Sequence, residues 1–310
     1  MTVAGVAHTE KAVETSVPET IETGARPAAG RPPARRRRGV PRLVFLGVVS
    51  ALMLVPLYLL VVNAFKPQQA ILSRPFALAP DELTTEYLRK ALTNPDFSLV
   101  KGYAITVLFV VLVNLLSVVL AGPVSYVIAR RGGRRYRLLL LLFVAGTFIP
   151  SQVLVIPVVY TLKFLGLMNS IPGFVLFETT LTLPFSIFLY VGIISTIPRS
   201  LDEAAALDGA GAHRTFWSII FPLMRPAVAT MVILNTFSVW NDFANPQIIL
   251  GPGSGLYTVT TGIYAAVGQY STDYTVVFPT LLLAVAPLLV VFVLIQRHVI
   301  GGLTTGATKG

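Results

Sequence analysis

The sequence predicts an all-α, polytopic membrane protein with six transmembrane helices and a helix-break-helix segment between the fourth and the fifth. Apolar residues make up 54% of the 310-residue chain, and its mean hydropathy is +0.74. Only 12% of the residues are charged, against about 25% in soluble domains. Apolar runs long enough to cross a bilayer also recur along the chain. These observations indicate that lipid, rather than water, surrounds most of the fold.

The six predicted spans are runs of about 20 mostly apolar residues, the length that a helix needs to cross a bilayer. They cover residues 43–64, 104–129, 138–162, 173–195, 226–243 and 276–294. The fourth and fifth contain several polar residues. Prolines lie within these runs at positions 56, 123, 150, 157, 184, 279 and 287. Each proline frees a backbone carbonyl that neighbouring helices or water must satisfy, which suits a bundle around a pathway.

Both ends of the chain differ in composition from the 41–300 transmembrane domain. Residues 1–40 are rich in Ala, Pro, Thr, Glu and Arg, without apolar periodicity, and are predicted to form a disordered cytoplasmic tail. A cleaved signal peptide is the alternative, but the basic run 35–38 comes late and the apolar run after it has full span length. Residues 301–310 are predicted to form a Gly-rich cytoplasmic tail.

Basic residues distribute unevenly among the segments that connect the predicted spans. Alternate segments carry 18 Lys and Arg against 6, with five of them in the short loop 130–137. By the positive-inside rule, both termini and the loops 130–137 and 196–225 are cytoplasmic. The net charge of +10 therefore reflects orientation in a cell membrane, and no nucleic-acid partner is predicted.

The residues that support catalysis or metal binding are scarce. The chain has no cysteine, and its three histidines, at positions 8, 213 and 298, are far apart. No phosphate-binding loop is present. Apart from Glu178 and Asp242, the spans hold no ionisable residue away from their ends, whereas proton-coupled carriers usually need several. We therefore expect no catalytic residue, no metal site and no enzyme activity, and we expect another subunit to energise any transport.

The stretch EAAALDGAGAHRTFWSIIFP, residues 203–222, lies on the predicted cytoplasmic side. Ser200 and Glu203 have the spacing of a capping box, which predicts a short helix over 201–207. Asp208 and Gly209 predict a break, and a second helix over about 212–221 is expected to end at Pro222. The first helix is expected to expose three alanines, which permit close approach of another backbone: Ala204, Ala205 and Ala206. An amphipathic elbow between two spans is the alternative interpretation.

This stretch resembles the EAA motif of binding-protein-dependent ABC transporter permeases: Glu-Ala-Ala, three residues, Gly, nine residues, Ile, one residue, Leu-Pro. Six positions match with the correct spacing: Glu203, Ala204, Ala205, Gly209, Ile219 and Pro222. Phe221 stands where the family usually has Leu. LYVGIISTIPRSLDEAAALDGAG (189–211), VWNDFANPQIIL (239–250) and QRHVIGGLTTGATKG (296–310) are similar to the carbohydrate-uptake branch, especially its six-span, maltose-type permease. The resemblance covers about residues 40–310.

The resemblance implies that residues of about 198–222 dock on an ATPase subunit as a coupling segment. The residues implied to lie in or beside that contact are Glu203, Ala204, Ala205, Asp208 and Gly209. The C-terminal tail is implied to reach the ATPase dimer through Gly301, Gly302, Gly306 and Lys309, although simple fraying is the alternative. ATP would be bound by the partner, so no cofactor is expected in this chain.

The resemblance further implies a permease subunit of an ATP-driven importer, for a sugar or oligosaccharide. The implied partners are a second permease subunit in a heterodimer, two ATPase subunits and an extracellular substrate-binding protein. The alternative is a self-sufficient secondary carrier or channel for a small polar solute.

Four residues that lie on the fifth span or at its outer end suit sugar hydroxyls and rings: Asn235, Trp240, Asn241 and Asp242. Trp240 is equally typical of a membrane-interface anchor. Glu178 is expected to make a helix–helix or subunit contact rather than to bind a ligand. Loop 244–275 lacks Lys and Arg and is expected outside, where it either touches the binding protein or serves as a connector.

Overall fold

The structure is a computed structural model that describes residues 39–78, 80–94, 98–267 and 273–307. Within these ranges the chain is helical and contains no strand, so the predicted all-α class is confirmed. The helices are α1 (Gly39–Asn63), α2 (Gln68–Ser73), α3 (Glu86–Leu92), α4 (Leu99–Arg131), α5 (Gly133–Gly146), α6 (Ser151–Phe164), α7 (Ile171–Thr196), α8 (Ser200–Leu207), α9 (Ala212–Thr215), α10 (Phe221–Leu223), α11 (Arg225–Asn241), α12 (Ala244–Ile249), α13 (Val259–Val267) and α14 (Tyr274–Ala307). The predicted disordered tail falls outside the described residues, except for residues 39 and 40, which begin α1.

Four of these helices, α1, α4, α7 and α14, are long and apolar enough to cross a membrane. Two bent pairs raise the number to six if each pair is one span. One pair is α5 with α6, and the other is the run Ala212–Leu223 with α11. The predicted polytopic fold is therefore confirmed, and each of the six predicted spans falls on one of these elements.

The third predicted span is not the continuous helix that we expected over 138–162. Its two halves, α5 and α6, meet at an angle of 100°. Pro150 is extended at the junction, with φ −61° and ψ 132°. Because a proline disfavours helical backbone in the residue before it, α5 cannot run through Ile149 into α6. Prolines at 56, 123, 184, 279 and 287 instead lie inside continuous helices.

The chain divides between Leu52 and Met53 into two units. The described part of the first unit is the beginning of α1. Its apolar side chains are largely exposed, as with Phe45 at 67% and Leu52 at 70%. Exposed apolar side chains on a span-length helix are what a lipid environment favours.

The second unit is built around α4 and α7, which pack along each other, with α11 against both. One buried apolar cluster joins α4, α7 and α11 to the segment that precedes α11, and it includes Ile128, Tyr190, Phe216 and Met224. A second cluster, with Phe109 and Phe174 at its centre, joins α4 and α7 to α6 and α12. Short polar contacts also cross these interfaces. Ser117 of α4 lies 3.2 Å from Ser186 of α7, and Asn114 of α4 donates to Thr236 of α11 at 3.2 Å.

Candidate coupling segment and polar cavity

The predicted coupling segment, called the coupling segment below, begins with α8, which starts at Ser200. Arg199 precedes the helix with helical backbone angles, and its carbonyl accepts the Glu203 amide at 3.1 Å. No side chain caps this end. The predicted capping box of Ser200 and Glu203 is therefore wrong, because helical geometry already begins at Arg199 and places Ser200 within the first turn.

The end of α8 is a Schellman motif centred on Gly209. The amide of Ala210 donates to the Ala205 carbonyl at 2.9 Å, and that of Gly209 to Ala206 at 3.1 Å. Gly209 has a φ of +74°, in the left-handed region that glycine adopts most readily. The break therefore occurs where the Asp-Gly pair predicted it, and these two bonds satisfy the carbonyls of Ala205 and Ala206 near the end of α8.

The second half of the segment is longer than predicted. α9, one π-helical turn (Phe216–Ile220) and α10 form a continuous run, and Pro222 lies inside it rather than at its end. The wide turn comes just before Pro222, whose ring would crowd the carbonyl four residues earlier in a regular helix. The chain then bends by 77° into α11.

The exposed face of α8 differs from the predicted one at Ala205 and Leu207. Glu203, Ala204 and Asp208 are exposed. Ala205 is only 2% exposed, so its predicted exposure is wrong; it faces the rest of the chain. Leu207, which the sequence analysis missed, is 89% exposed. Its signal in the sequence is a bulky apolar residue directly before an Asp-Gly break.

The buried side of α8 is tied to the end of α4 through Asp202. The Tyr126 hydroxyl donates to Asp202 Oδ1 at 2.6 Å. Arg130 Nη2 lies 2.9 Å from Asp202 Oδ2, as an ion pair that is too bent to be a hydrogen bond. Arg130 Nη1 also donates to the Ile197 carbonyl at 3.0 Å, just after α7. Nothing in the local sequence indicated that Asp202 would turn inward while Glu203 faces out.

The π-helical turn also contacts α4. Phe216 is 2% exposed, and its ring centroid lies 5.5 Å from that of Tyr126. A Cβ atom on Gly122 would lie only 2.9 Å from Phe216 Cζ. The absence of a side chain at Gly122 therefore permits the close approach of the ring to α4.

A polar cavity of about 460 Å³ lies among α6, α7, α11 and α12. Its lining is Ser151, Glu178, Leu181, Thr182, Phe185, Leu234, Asn235, Ser238, Asn241, Asp242 and Asn245. Three of the four predicted sugar-contact residues, Asn235, Asn241 and Asp242, thus meet at one site. Trp240 does not line the cavity. It is half-buried, and its ring lies 6.3 Å from that of Tyr103 on α4.

Glu178 and Asp242 are joined in this cavity by Asn245. Asn245 Nδ2 donates to Glu178 Oε1 at 3.1 Å and to Asp242 Oδ2 at 2.7 Å. Glu178 is 3% exposed, so this contact between α7 and α12 supplies a partner to a buried acid. The helix–helix contact expected of Glu178 is therefore present, and the same side chain also lines the cavity. No local sequence pattern indicates that Asn245 would join these two acids.

The predicted outer loop 244–275 is largely helical in its described part, which contains α12, one 3₁₀ turn (Pro252–Ser254) and α13. Near the end of the same predicted loop, Asp273 Oδ2 lies 3.1 Å from Lys90 Nζ of α3. Partial burial raises the pKa of Asp273, but hydrogen bonds from Thr275 and Lys90 outweigh it, so the pKa lies below its usual value. This contact holds α3 against the start of α14.

The C-terminal residues Gly301, Gly302 and Gly306 lie in the helical backbone of α14, and Lys309 lies outside the described residues. Among the residues that the structure describes, no three His, Cys, Asp or Glu side chains gather in a group that could hold a metal ion.

Comparison with known families gives one match. The family described as binding-protein-dependent transport system inner membrane component matches residues 121–304. This range contains the coupling segment and every cavity residue.

Comparison with individual proteins agrees with this match. The chain is 35% identical over 272 residues to the multiple sugar-binding transport system permease protein MsmG of Streptococcus mutans, covering 86% of this chain and 96% of that protein. It is 30% identical to the diacetylchitobiose uptake system permease protein NgcG of Streptomyces coelicolor, covering 84% of this chain and 85% of that protein. In a crystal structure of a bacterial ABC transporter involved in alginate import, one chain aligns with a TM-score of 0.71 at 22% identity, covering 84% of this chain and 95% of that chain. At that identity, the structural match establishes the fold.

Proposed function

Because the chain belongs to the family of binding-protein-dependent transport system inner membrane components, we propose that it is a permease subunit of an ATP-driven ABC importer for a sugar or oligosaccharide. The observation that carries this proposal is the family match over the coupling segment and the bundle behind it. Relatives named as sugar-uptake permeases support the substrate class. The alternative, a self-sufficient carrier or channel, receives no support from these comparisons.

The coupling role falls to the exposed face at the end of α8. Glu203, Ala204, Asp208 and Gly209 would contact the ATPase, and exposed Leu207 adds an apolar anchor between them. Glu203 offers a charge to a basic group, and Ala204 permits close packing. Ala205, being buried, would seat α8 on the chain rather than touch the partner. Gly301, Gly302, Gly306 and Lys309 form the proposed second contact with the ATPase.

The complete transporter would contain a second permease subunit in a heterodimer, two ATPase subunits and an extracellular substrate-binding protein. In this arrangement ATP binds only to the partner, and its binding shifts the permease pair between inward-open and outward-open states through differential contacts with the coupling segment. Both termini would lie in the cytoplasm, as the charge distribution predicts.

The polar cavity is the proposed place of sugar contact. Asn235 and Asn241 each carry a donor and an acceptor, and Asp242 and Glu178 carry acceptors, a combination that matches sugar hydroxyls. Phe185 adds an aromatic surface to the same lining. Trp240 faces α4 instead, so in this structure the amides and acids, rather than the indole, carry the proposed contact.

The experiment that tests the coupling role compares two charge reversals. Glu203→Lys should abolish ATP-dependent sugar uptake by the assembled transporter, while the chain still inserts into the membrane. Glu86→Lys, on an equally exposed acid of α3, is the matched control and should transport normally. Normal uptake by Glu203→Lys would contradict the coupling role.

The partners are tested by purifying the tagged chain in a mild detergent and identifying the co-purifying proteins. We expect an ATPase and a second permease, and we expect the ATPase alone to be lost from the Glu203→Lys preparation. Recovery of a solitary chain that moves solute into liposomes without ATP would replace the importer proposal with the carrier alternative.

A further inference from the structure

Among the ion pairs of the described residues, the pair between α8 and the end of α4 has the least exposed side chains. Asp202, the residue before exposed Glu203, receives the Tyr126 hydroxyl at 2.6 Å and pairs with Arg130 at 2.9 Å. The side chains of Arg130 and Asp202 are only 11% and 20% exposed. The other two ion pairs of the described residues, Arg74–Glu82 and Lys90–Asp273, have side chains 33–56% exposed. The pair at α8 is therefore the one that solvent screens least.

Shielding makes this pair difficult to break during movement. Removing or withdrawing one member leaves the other charge buried without its partner, which costs far more than the loss of an exposed pair. The Arg130 guanidinium also holds the Ile197 carbonyl at 3.0 Å, so one side chain fixes both the end of α7 and the start of α8. α8 is thus attached on the side opposite to its exposed face.

A second attachment lies on the far side of the Gly209 break. Phe216 of the π-helical turn packs against Tyr126 and onto the bare backbone of Gly122. The two halves of the coupling segment therefore rest on the same stretch of α4, between Gly122 and Arg130. The left-handed Gly209 bridges them, but their positions are set by α4.

We propose that Tyr126, Arg130 and Asp202 are positioning residues that join the coupling segment and the inner end of α4 into one rigid body. A displacement of the exposed face of α8 would then move α4 directly, instead of being absorbed at the break. This inference rests on the proposed coupling function. It names α4 as the first span to receive the movement, although α7 and α11 are the spans adjacent to the segment in sequence.

The contacts of α4 with other helices indicate where such a movement would be transmitted. Its contacts from Ser117 to Ser186 and from Asn114 to Thr236 join it to α7 and α11. Those two helices carry Glu178, Thr182 and Asn235 of the polar cavity. The rigid body would therefore push on two walls of the proposed sugar site.

The first test measures the distance between α4 and α8 while the attachment residues are unchanged. The chain has no native cysteine, so spin labels placed at Val127→Cys on α4 and Ala206→Cys on α8, both exposed, form a defined pair. In the assembled transporter, the distance between the labels should be the same without nucleotide and with ATP trapped in the ATPase. A distance that changes with ATP would show that α8 moves relative to α4 and would overturn the proposal. The attachment residues Tyr126, Arg130 and Asp202 are unaltered, so the measurement reports on the intact attachment.

The second test measures sugar imported per ATP hydrolysed in proteoliposomes. Arg130→Gln, Asp202→Asn and the milder Tyr126→Phe should lower this ratio, by about tenfold for the two charge variants because each leaves a shielded charge unpaired. Arg131→Gln, which removes the neighbouring exposed charge, should keep the wild-type ratio. A wild-type ratio in Asp202→Asn and Tyr126→Phe complexes, or equal losses of uptake and hydrolysis, would overturn the proposal. Failure of the proposed function is distinguishable, because the wild-type complex would then show no ATP-dependent uptake.

Discussion

Asp202 and Glu203 are adjacent acids with opposite environments. Successive residues of a helix point about 100° apart, so when Asp202 turns toward Tyr126 and Arg130, Glu203 points out to solvent. The same geometry buries Ala205 and leaves Ala204 and Leu207 exposed. The environment of each of these residues therefore follows from its angular position on α8.

The left-handed backbone at Gly209 is the most sensitive point of the break. Gly209→Ala places a Cβ in a region that disfavours side chains, at a cost of about 1–2 kcal/mol. We expect reduced ATP-dependent uptake, measured in proteoliposomes, because the strain shifts the end of α8. Gly209→Asn should be milder, since Asn tolerates this conformation better.

The control for this prediction lies two residues away. Gly211 has a φ of −70°, and a Cβ atom would meet nothing within 4 Å at either Gly209 or Gly211. Gly211→Ala should therefore transport normally. Equal behaviour of Gly209→Ala and Gly211→Ala would refute the role of the backbone conformation.

The proposed sugar contact predicts a residue-specific defect at Asn235. Asn235→Leu keeps the side-chain size but removes hydrogen bonds to the sugar, each worth about 0.5–1.5 kcal/mol. Uptake at saturating binding protein should fall about 2–10-fold, since 1.4 kcal/mol corresponds to a factor of ten. Thr230→Val is the control, because the Thr230 hydroxyl donates to the Pro226 carbonyl of its own helix and does not line the cavity. Unaltered uptake by Asn235→Leu would remove this residue from the substrate site.

Breaks between helices determine where one element ends and the direction in which the next one begins. The extended Pro150 divides α5 from α6, and the Schellman motif at Gly209 divides α8 from α9. The bend before α11 sets the short segment at 77° to the span that follows. Phe216 and Ile220, which precede this bend, share a buried cluster with residues of α4.

The link between α3 and α14 predicts a pH dependence. Because the pKa of Asp273 is lowered in the folded chain, its contribution to stability is present above the usual aspartate pKa of about 3.9 and is lost as pH falls through the lowered folded value. The melting temperature of the detergent-purified chain should therefore drop more steeply below about pH 4 than that of Asp273→Asn.

Asp81, which is exposed and has no ion pair among the described contacts, provides the control. Asp81→Asn should follow the wild-type pH profile. If Asp273→Asn followed that profile as well, the contact with Lys90 would not contribute to the stability of the outer region.

Orientation is a property of the whole molecule, set by its loop charges. Alternate segments carry 18 and 6 basic residues, an asymmetry that favours a cytoplasmic coupling segment. This side is also where an ATPase would have access to it.

Single cysteines test this orientation, since the chain has none of its own. A membrane-impermeant maleimide should label Gly253→Cys, at an exposed position in the predicted outer loop, on intact cells. Leu207→Cys, at an 89% exposed position, should be labelled only after permeabilisation, in cells that express the chain without its ATPase. Labelling of Leu207→Cys on intact cells would invert the predicted topology.

The class of the fold, the regions that span the membrane and the location of the helix-break-helix segment could all be predicted from the amino-acid sequence. These features depend on properties of neighbouring residues: the length of an apolar run and the Asp-Gly pair at a break. The motif at 203–222 likewise led to the family, because its spacing lies within twenty residues.

The packing of the helices was needed to show which proline breaks a span, which alanine of the motif is buried and which acid holds α8. Asp202 and Tyr126 are separated by 76 positions, and the cavity draws its residues from four helices. The composition of a membrane helix indicates that it is apolar, but its side chains are sorted into lipid-facing and buried positions only when other helices pack against it. The physical reason is that burial and ion pairing depend on distances in space, which local sequence patterns do not specify.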